Sequence, residues 1–474
     1  MPTSNARPRP AASRQGRLKW GWLEVTIVGQ TLFPALMFIP GLGPVRTLMR
    51  VMSFGLALIA WAAVYTSGRR AVGRRFAAAP WMTFCAILYV LMVVHPSTDS
   101  LTAGLAAAAL NLAILSPVFW APTLGDSTRR VVRLLTLLLI CNAASTMMGL
   151  LQYYRPGQFD PPTLRTNGLY KEDVLNSMMY TTADGRQVLR PCGLSDTPGG
   201  AATSGAFTCL IGLAWALRPI PLWKRLACAG MATAGMAIIY FCQVRSLLLM
   251  VLACQVLIAV LLAFQRDYTK LLKFAAVAAV MFTLALGWVV RSGGEQVIQR
   301  FRSLLEGSAG EVYYKNRGHF LETTFNYHLP QYPLGAGLGH WGMINVYFGN
   351  RTTAIYAEIQ PTAWILDGGA LLLVGYSGGI AAAILATIRL IRRRQDAELG
   401  YAGAVICAIG MSIVVTCLSS LPFISPSGVQ FWAMFGALHG AANRAAYQRA
   451  VAARAAGRAP GGSARGPGLA VAGR

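Results

Sequence analysis

Charged side chains are scarce in this sequence of 474 residues, and acidic ones are the scarcest. Asp, Glu, Lys and Arg together make up 12% of the chain, whereas a soluble domain carries roughly 25%. Hydrophobic residues make up 55%, and the mean hydropathy is +0.49. This composition excludes an ordinary soluble enzyme and predicts an all-α polytopic membrane protein.

The shortage of acidic residues leaves a formal net charge of +25, from 42 Lys and Arg against 17 Asp and Glu. Such an excess is also typical of proteins that bind nucleic acid. Here the basic residues stand in short clusters between apolar segments, as the orientation of membrane helices requires. They also suit an anionic cytoplasmic leaflet. We therefore expect a lipid bilayer as partner and no nucleic acid.

Cysteine pairs are missing as well. The chain has nine cysteines but no CxxC motif, so neither a disulfide framework nor a zinc site is indicated. Eight of the nine fall within apolar segments, and only Cys192 falls in a loop. No small-residue cleavage site follows the first apolar segment, which we interpret as a retained span.

The apolar segments define one transmembrane domain over residues 21–447. Residues 1–20 form a basic, Pro- and Ser-rich N-terminus, and residues 448–474 form a basic Ala/Gly-rich tail; both are predicted to be disordered. A spanning helix needs about 20 apolar residues. Twelve candidates lie near 21–40, 48–67, 80–95, 102–120, 131–152, 198–217, 225–242, 246–264, 272–291, 361–389, 400–420 and 423–442.

The positive-inside rule orients these twelve predicted spans. With a cytoplasmic N-terminus, every connection that should be cytoplasmic is basic. Both termini are then cytoplasmic, and two long loops, about 153–197 and 292–360, face the periplasm. The clusters that support this orientation are Arg69, Arg70, Arg74 and Arg75; Arg129, Arg130 and Arg133; Arg218, Lys224 and Arg225; Arg266, Lys270 and Lys273; and Arg389, Arg392, Arg393 and Arg394.

Two of the arginines on the opposite face are candidates for binding an anion. Arg245, in FCQVRSLLLM, lies where the rule disfavours a cation, so it either snorkels to the interface or binds an anion. Arg190 opens RPCGLSDTPGGAATSGAF, in which Pro-Gly-Gly sets a sharp start for the next span. The N–H groups at such a helix start suit phosphate, although an interfacial cap and turn explains the same residues.

The second long loop is polar, aromatic and glycine-rich. It contains Arg317, His319 and His340, and its PLGAGLGHW segment allows close approach of the backbone to a ligand. Each histidine is either structural or catalytic. Glu358, at the start of the next span, is either a complement to the helix dipole or a base. Asp367, deeper in that span, is a functional candidate or a buried hydrogen-bond partner.

Three segments together resemble motifs of the O-antigen ligase/polymerase superfamily, a family of bacterial inner-membrane enzymes. RPCGLSDTPGGAA, from Arg190, is similar to the arginine- and glycine-containing start of one of its spans. CQVRSLLLM, around Arg245, is similar to its Ser-Arg or Thr-Arg turn. PLGAGLGHW and AEIQPTAWILDGGA resemble its P-x-G-x-G segment and the start of the following span. The resemblance covers about 150–360 in motifs and the whole chain in topology.

The chain departs from the family pattern at several positions. Glu358 stands where ligases that use lipid A core carry a histidine, and Ile359 replaces the following asparagine. Gly199 or Gly200 stands where the first motif has an asparagine, and His340 is added. These departures favour a polymerase of surface polysaccharide or exopolysaccharide repeat units. The alternatives are an O-antigen ligase that uses lipid A core or protein as acceptor, and a non-enzymatic transporter of the same lipid-linked glycan.

The resemblance implies a GT-C-like fold and glycosyl transfer from an undecaprenyl-pyrophosphate-linked donor at the periplasmic face, without metal or cofactor. Neither long loop has a DxD pair for a divalent cation, which fits arginines neutralising the leaving diphosphate. The acceptor would be a carrier-linked glycan or lipid A core, and a chain-length regulator is a further partner left open. We predict that Arg190, Arg245 and Arg317 bind the diphosphate and stabilise its charge. Glu358 is the first choice for the base, and His340 is the second. The residues that contact the glycan or form an interfacial belt are His319, Tyr327 and Trp341.

Overall fold

The computed structural model describes residues 20–42, 45–69, 71–162, 178–181, 185–264, 266, 268–302, 311, 314, 318–350, 354–393 and 395–457, and in these the protein is mostly helical. The first half contains α1 (Trp22–Leu36), α2 (Arg46–Thr66), α3 (Ala79–Met92), α4 (Leu101–Leu115), α5 (Pro117–Leu124), α6 (Thr128–Tyr154), β1 (Met179–Thr181), β2 (Gln187–Leu189), α7 (Gly200–Ala216) and α8 (Leu222–Phe241). The second half contains α9 (Arg245–Phe264), α10 (Tyr268–Arg302), α11 (His319–Thr323), a π-helical turn (Thr324–His328), α12 (Leu329–Gln331), α13 (Gly342–Phe348), α14 (Gln360–Arg392), α15 (Ala397–Thr416), a 3-10 turn (Pro422–Ile424) and α16 (Pro426–Gly457).

Each of the twelve segments predicted as a span falls on a helix. Within the described residues, seven helices are long and apolar enough to cross a membrane, including α4 and α5 taken together as one. The prediction of a mostly helical chain with several membrane-length helices is therefore confirmed. Two details differ. α10 continues to Arg302, into the predicted second loop, and the first loop contains an antiparallel hairpin of β1 and β2.

Small residues let the central helices pack closely. α7 is buried along most of its length and lies against α6 and α8. A Cβ added at Gly205 of α7 would lie 2.6 Å from the carbonyl oxygen of Gly235 of α8, so any larger residue would separate the two helices. Apolar burial drives helix association weakly in lipid, and close backbone contact between small residues replaces it.

Polar contacts at one end of the bundle join the first turn of α1 to the first turn of α6. Glu24 is buried and accepts hydrogen bonds from Arg130, which also pairs with Asp126. Thr128 donates to Asp396, which connects the same end to the start of α15. We call this the Glu24 end; it also contains the ion pair of Arg218 with Glu398 and the hydrogen bond from Asn443 to the Arg74 carbonyl.

A second set of contacts defines the other end. The buried Asp196 pairs with Arg46 at the start of α2, and Tyr153 at the end of α6 donates to the Ser292 carbonyl at 2.7 Å. The α3–α4 connection meets the second loop there, because Asp99 donates its backbone N–H to the Leu338 carbonyl at 3.2 Å. We call this the Asp196 end. The candidate functional residues belong to it.

Candidate functional site

Arg190 follows β2 directly, and its backbone is held on both sides. Its N–H donates to the Met178 carbonyl at 3.2 Å, and its carbonyl accepts from the Gly199 N–H at 3.2 Å. The hairpin and the turn before α7 therefore fix the position at which the Arg190 side chain leaves the backbone. The side chain itself is partly exposed.

A buried side chain of α6 supports the turn that follows Arg190. The Gln152 Oε1 accepts from the Cys192 and Gly193 N–H groups at 2.8 and 2.9 Å, and its Nε2 donates to the Gly193 carbonyl at 3.0 Å. One amide thus satisfies three backbone groups of a loop inside the protein, where unpaired polar groups are costly. Residues 190–199 are consequently an ordered part of the structure.

The turn that carries Arg245 packs against the same loop. Tyr180 of β1 donates to the Phe241 carbonyl at 2.5 Å, and the Cys242 thiol lies 3.6 Å from the Pro191 carbonyl. Gln243 has a φ of 57°, an uncommon value for a residue other than glycine, which turns the chain sharply into α9. The structure therefore brings the segments of Arg190 and Arg245 together, although 54 other residues separate them in sequence.

The Tyr180 hydroxyl, which joins β1 to the end of α8, is subject to two opposite influences. Burial raises its pKa well above the usual value, and the positive charge of Arg190 acts in the opposite direction, because a cation favours the ionised phenol.

The start of α7 differs from the expectation of a free anion-binding helix end. The N–H groups of Gly200, Ala201 and Ala202 donate to the carbonyls of Thr197, Pro191 and Gly199, at 2.9, 3.3 and 3.1 Å. Pro-Gly-Gly does produce the sharp start that the sequence predicts, because Gly199 adopts a φ of 81°. These three N–H groups of the helix start are already bonded, so they do not form the free anion-binding helix end that the sequence suggested.

Sequence reasoning missed an ion triad at this site. The Asp196 carboxylate lies 2.6 Å from Nε of Arg46 and 2.5 Å from a terminal nitrogen of Arg50. The side chains of Arg46 and Asp196 are 2% and 4% exposed, and that of Arg50 is 22% exposed. Arg46 and Arg50 are spaced i, i+4 on α2 and so project from one face. That spacing was visible in the sequence, but its distant partner Asp196 was not.

In the second loop, the PLGAGLGHW segment packs against a break in α14 and bonds the backbone groups there. Gly368 and Gly369 interrupt the helix with non-helical backbone angles. The Ala336 N–H donates to the Leu366 carbonyl at 2.7 Å, and the Pro333 carbonyl accepts from Ala370 at 3.0 Å. The loop thereby satisfies groups that the interrupted helix leaves free.

The glycines of this segment approach protein rather than leaving room for a ligand. Cβ atoms at Gly335, Gly337 and Gly339 would meet Gly368, the Ser97–Thr98 backbone and Ala103, respectively, at separations of 2.6–3.0 Å. All three glycines have a positive φ. These glycines therefore allow close packing within the protein, where the sequence suggested approach to a ligand. This packing fixes His340 and Trp341 at the end of the segment.

Glu358 lies just before α14 in a partly exposed aromatic group. Its carboxylate accepts a hydrogen bond from the Tyr356 hydroxyl, and the Tyr356 ring lies 5.9 Å from the ring of Phe320. The Tyr356 side chain is 65% exposed. Thr362 of α14 bonds Thr324 of the π-helical turn at 2.5 Å, which ties this group to the helix. The hydrogen bond between Tyr356 and Glu358 therefore lies within the second loop.

His340 is partly exposed and bonded to the α3–α4 connection. Its Nε2 contacts the Ser97 carbonyl, and its own carbonyl accepts from the Ile355 N–H at 2.8 Å. Because a carbonyl only accepts, Nε2 carries the proton in this contact, and Nδ1 is the basic nitrogen of the neutral ring. His340 therefore retains one atom that can accept a proton.

The remaining predicted residues differ in exposure. Trp341 is 8% exposed, and its indole donates to Asp367 at 2.7 Å, so its ring packs inside the protein. Tyr327 is exposed, and its ring lies 5.4 Å from that of His328, whose pKa is lowered by burial. His319 is exposed beside Phe320. Arg317 lies outside the described residues.

Among the described residues, no group of three or more His, Cys, Asp or Glu side chains is arranged to hold a metal ion. A cavity of about 280 Å³ is lined by Ala263, Phe264, Arg266, Tyr268 and Arg392. This cavity adjoins the C-terminal end of α14, toward the Glu24 end, and is remote from the residues described above.

The sequence matches no protein-family model and no curated protein. Function must therefore be inferred from the residues themselves and from their arrangement.

Proposed function

We propose that this protein is a bacterial inner-membrane glycosyltransferase that extends a glycan on its polyprenyl diphosphate carrier at the periplasmic face. The donor is an undecaprenyl-diphosphate-linked oligosaccharide, and the acceptor is a second carrier-linked glycan. The observation that carries the proposal is the packing of the Arg190 loop against the Arg245 turn. A diphosphate needs more than one cation, and two partly exposed arginines on contacting, ordered turns meet that need.

The contacts between loops support the proposed topology of twelve spans with both termini in the cytoplasm. The connections that the positive-inside rule assigns to the cytoplasm contact one another at the Glu24 end. The connections assigned to the periplasm contact one another at the Asp196 end. Because hydrogen-bonded loops must lie on the same side of a membrane, these contacts favour the alternation of spans that the charge pattern predicts.

In the proposed reaction, the acceptor hydroxyl oxygen attacks the anomeric carbon of the donor glycan. A new carbon–oxygen bond forms as the bond from that carbon to the diphosphate oxygen breaks. The diphosphate leaves with the electron pair, and its growing negative charge is stabilised by Arg190 and Arg245. Fixed cations aimed at a developing charge act strongly where water is partly excluded.

The proton of the acceptor hydroxyl passes to a base, for which Glu358 is our first choice and Nδ1 of His340 our second. Glu358 is supported by its partial exposure beside the exposed ring of Tyr356, because aromatic faces bind sugar rings. His340 is supported by the free basic nitrogen that its contact with Ser97 leaves. Arg317 is proposed as a third cation from its sequence position alone.

The test is a reaction in detergent, with purified protein and undecaprenyl-diphosphate-linked oligosaccharide, and no membrane gradient. We expect a ladder of longer carrier-linked glycans and release of undecaprenyl diphosphate. Transfer only to added lipid A core would identify a ligase. Absence of both products, with a folded protein, would reject the glycosyltransferase.

A transporter of the same lipid is the second candidate, and one observation favours it. α14 is interrupted at Gly368–Gly369, and the buried Asp367 stands immediately before the break. Broken helices and buried acids mark the binding sites of many transporters. Movement of the carrier across a vesicle bilayer, without turnover in detergent and abolished by Asp367→Asn, would select this candidate.

A further inference from the structure

The triad of Arg46, Asp196 and Arg50 connects α2 to the loop that carries Arg190. Asp196 lies between the Gln152-bound turn at Cys192–Gly193 and the start of α7. Both arginines belong to the first turns of α2, where the helix dipole disfavours cations and favours an anion. The Asp196 carboxylate, contributed by the loop, offsets the charges of both arginines and is itself favoured by the helix dipole. The pairing therefore stabilises a particular placement of the loop against α2.

We propose that Arg46 and Arg50 are positioning residues that hold the Arg190 loop, through Asp196, in the conformation in which it packs on the Arg245 turn. The placement of the loop does not depend on the proposed function. Only its consequence, a preformed diphosphate site, rests on that function. The placement of the loop can be measured without any substrate. Removal of one arginine should release the loop from α2 and let residues 190–199 open more often.

Cys192 provides a reporter inside the loop. It is buried, and its N–H is bound by Gln152. Burial raises the pKa of the Cys192 thiol, to which the negative charges of Asp160 and Asp196 also contribute. A buried, protonated thiol reacts slowly with maleimides, because the thiolate is the reactive form. Opening of the loop exposes the thiol and increases its rate of reaction.

The experiment measures maleimide labelling of Cys192 in purified protein in detergent, with the site assigned by mass spectrometry. We expect Arg50→Ala to increase the labelling rate at least about tenfold, because it breaks the partly buried Arg50–Asp196 ion pair and loosens the hold of α2 on the loop. This variant is decisive because removing a nearby cation, without opening, would raise the thiol pKa and slow the reaction. An unchanged or slower rate would overturn the proposal.

Three further variants separate the contact of Asp196 with Arg46 and Arg50, which we call the lock, from a general loss of folding. Asp196→Ala combined with Arg50→Ala should label no faster than Asp196→Ala alone, because the two residues act through one contact. Additive effects would contradict the lock. Glu398→Ala, which breaks the exposed ion pair with Arg218 at the Glu24 end, is the matched control and should leave the Cys192 rate unchanged.

Activity provides the second readout. If the loop positions Arg190, Arg50→Ala should raise the KM for the carrier-linked donor at least about fivefold with a smaller effect on kcat, because the site must first be ordered. Faster labelling of Arg50→Ala, with no glycosyl transfer by the wild-type protein, would support the lock and reject the proposed glycosyltransferase. Normal KM with faster labelling would reject the link between the lock and the site.

Discussion

Arg190 and Arg245 carry the chemical hypothesis, and the two turns that contain them are joined by contacts of other residues. We predict that Arg190→Ala and Arg245→Ala each lower the turnover rate at least about 100-fold, because a fixed group that stabilises the leaving charge is lost. The measurement is the rate of glycan extension by purified protein. Thermal unfolding of each variant checks that the loss of turnover does not reflect loss of the fold.

The matched substitutions to lysine separate charge from geometry. Lysine keeps the positive charge but cannot present two parallel N–H groups to phosphate oxygens. We therefore expect Arg190→Lys and Arg245→Lys to retain more activity than the alanine variants and less than the wild type. Polymer of normal length and yield from either alanine variant would remove that residue from the site.

The identity of the base gives the next prediction. Glu358→Gln keeps the size of the side chain and its contact with the Tyr356 hydroxyl, but removes the proton acceptor. We expect it to lower kcat by about 100-fold or more, as loss of a general base does, and to cost more than His340→Ala. The two variants are compared in the same extension reaction at saturating donor. The reverse order of losses would transfer the role to His340.

Residues in this site differ in how far the sequence could predict them. Arg245 is conspicuous in the sequence because a cation on the predicted periplasmic face contradicts the charge rule. Arg190 is conspicuous because Pro-Gly-Gly follows it. Arg46 and Arg50 lie on the same face, at the start of the second predicted span, so the charge rule applies to them as well, but sequence reasoning overlooked it. Their importance depends on Asp196, which is 146 positions from Arg50 in sequence. Pairings at that separation are not determined by local patterns.

At the scale of elements, apolar segments predicted the helices well because burial in lipid requires long runs of apolar residues with satisfied backbone groups. The interruption of α14 could not be predicted in the same way. Gly-Gly in a span is also common at helix contacts. The break becomes necessary only when the Pro333–Ala336 backbone arrives to bond Leu366 and Ala370. A short loop and a helix thus determine each other's conformation.

Because the loop and the helix depend on each other, we predict a large loss of stability for Gly369→Ala. Gly369 has a φ of 66°, and an added Cβ would overlap the Pro333 carbonyl oxygen. Backbone strain and overpacking together should lower the free energy of unfolding by about 2–4 kcal/mol. The measurement is thermal or denaturant unfolding in detergent.

Gly157→Ala is the matched control, because Gly157 also has a positive φ, 82°, but its Cβ would meet no atom within 4 Å. It should show the strain alone, about 1–2 kcal/mol. Equal losses for the two variants would mean that the close approach of the Pro333 carbonyl to Gly369 adds no cost beyond backbone strain.

At the scale of the whole molecule, the basic clusters and the contacts between loops are independent indicators of topology. Charge patterning reflects the cost of moving Lys and Arg across the membrane. Loop contacts reflect packing after insertion. The two agree at connections as different as the Arg130–Glu24 pair and the Tyr153–Ser292 bond. Agreement between separate physical causes is stronger support than either one alone, yet contacts only group the loops and leave open which end faces outward.

That remaining choice gives the last prediction. In a cysteine-free background, Ser97→Cys reports the Asp196 end and Gln395→Cys the Glu24 end, because both positions are exposed. A membrane-impermeant maleimide added to intact bacterial cells with a permeabilised outer membrane should label position 97 and leave position 395 unlabelled; inverted vesicles should reverse the pattern. Labelling of 395 alone in cells would put Arg190 and Arg245 in the cytoplasm. A periplasmic glycosyl transfer could not then take place at these arginines, whatever their arrangement.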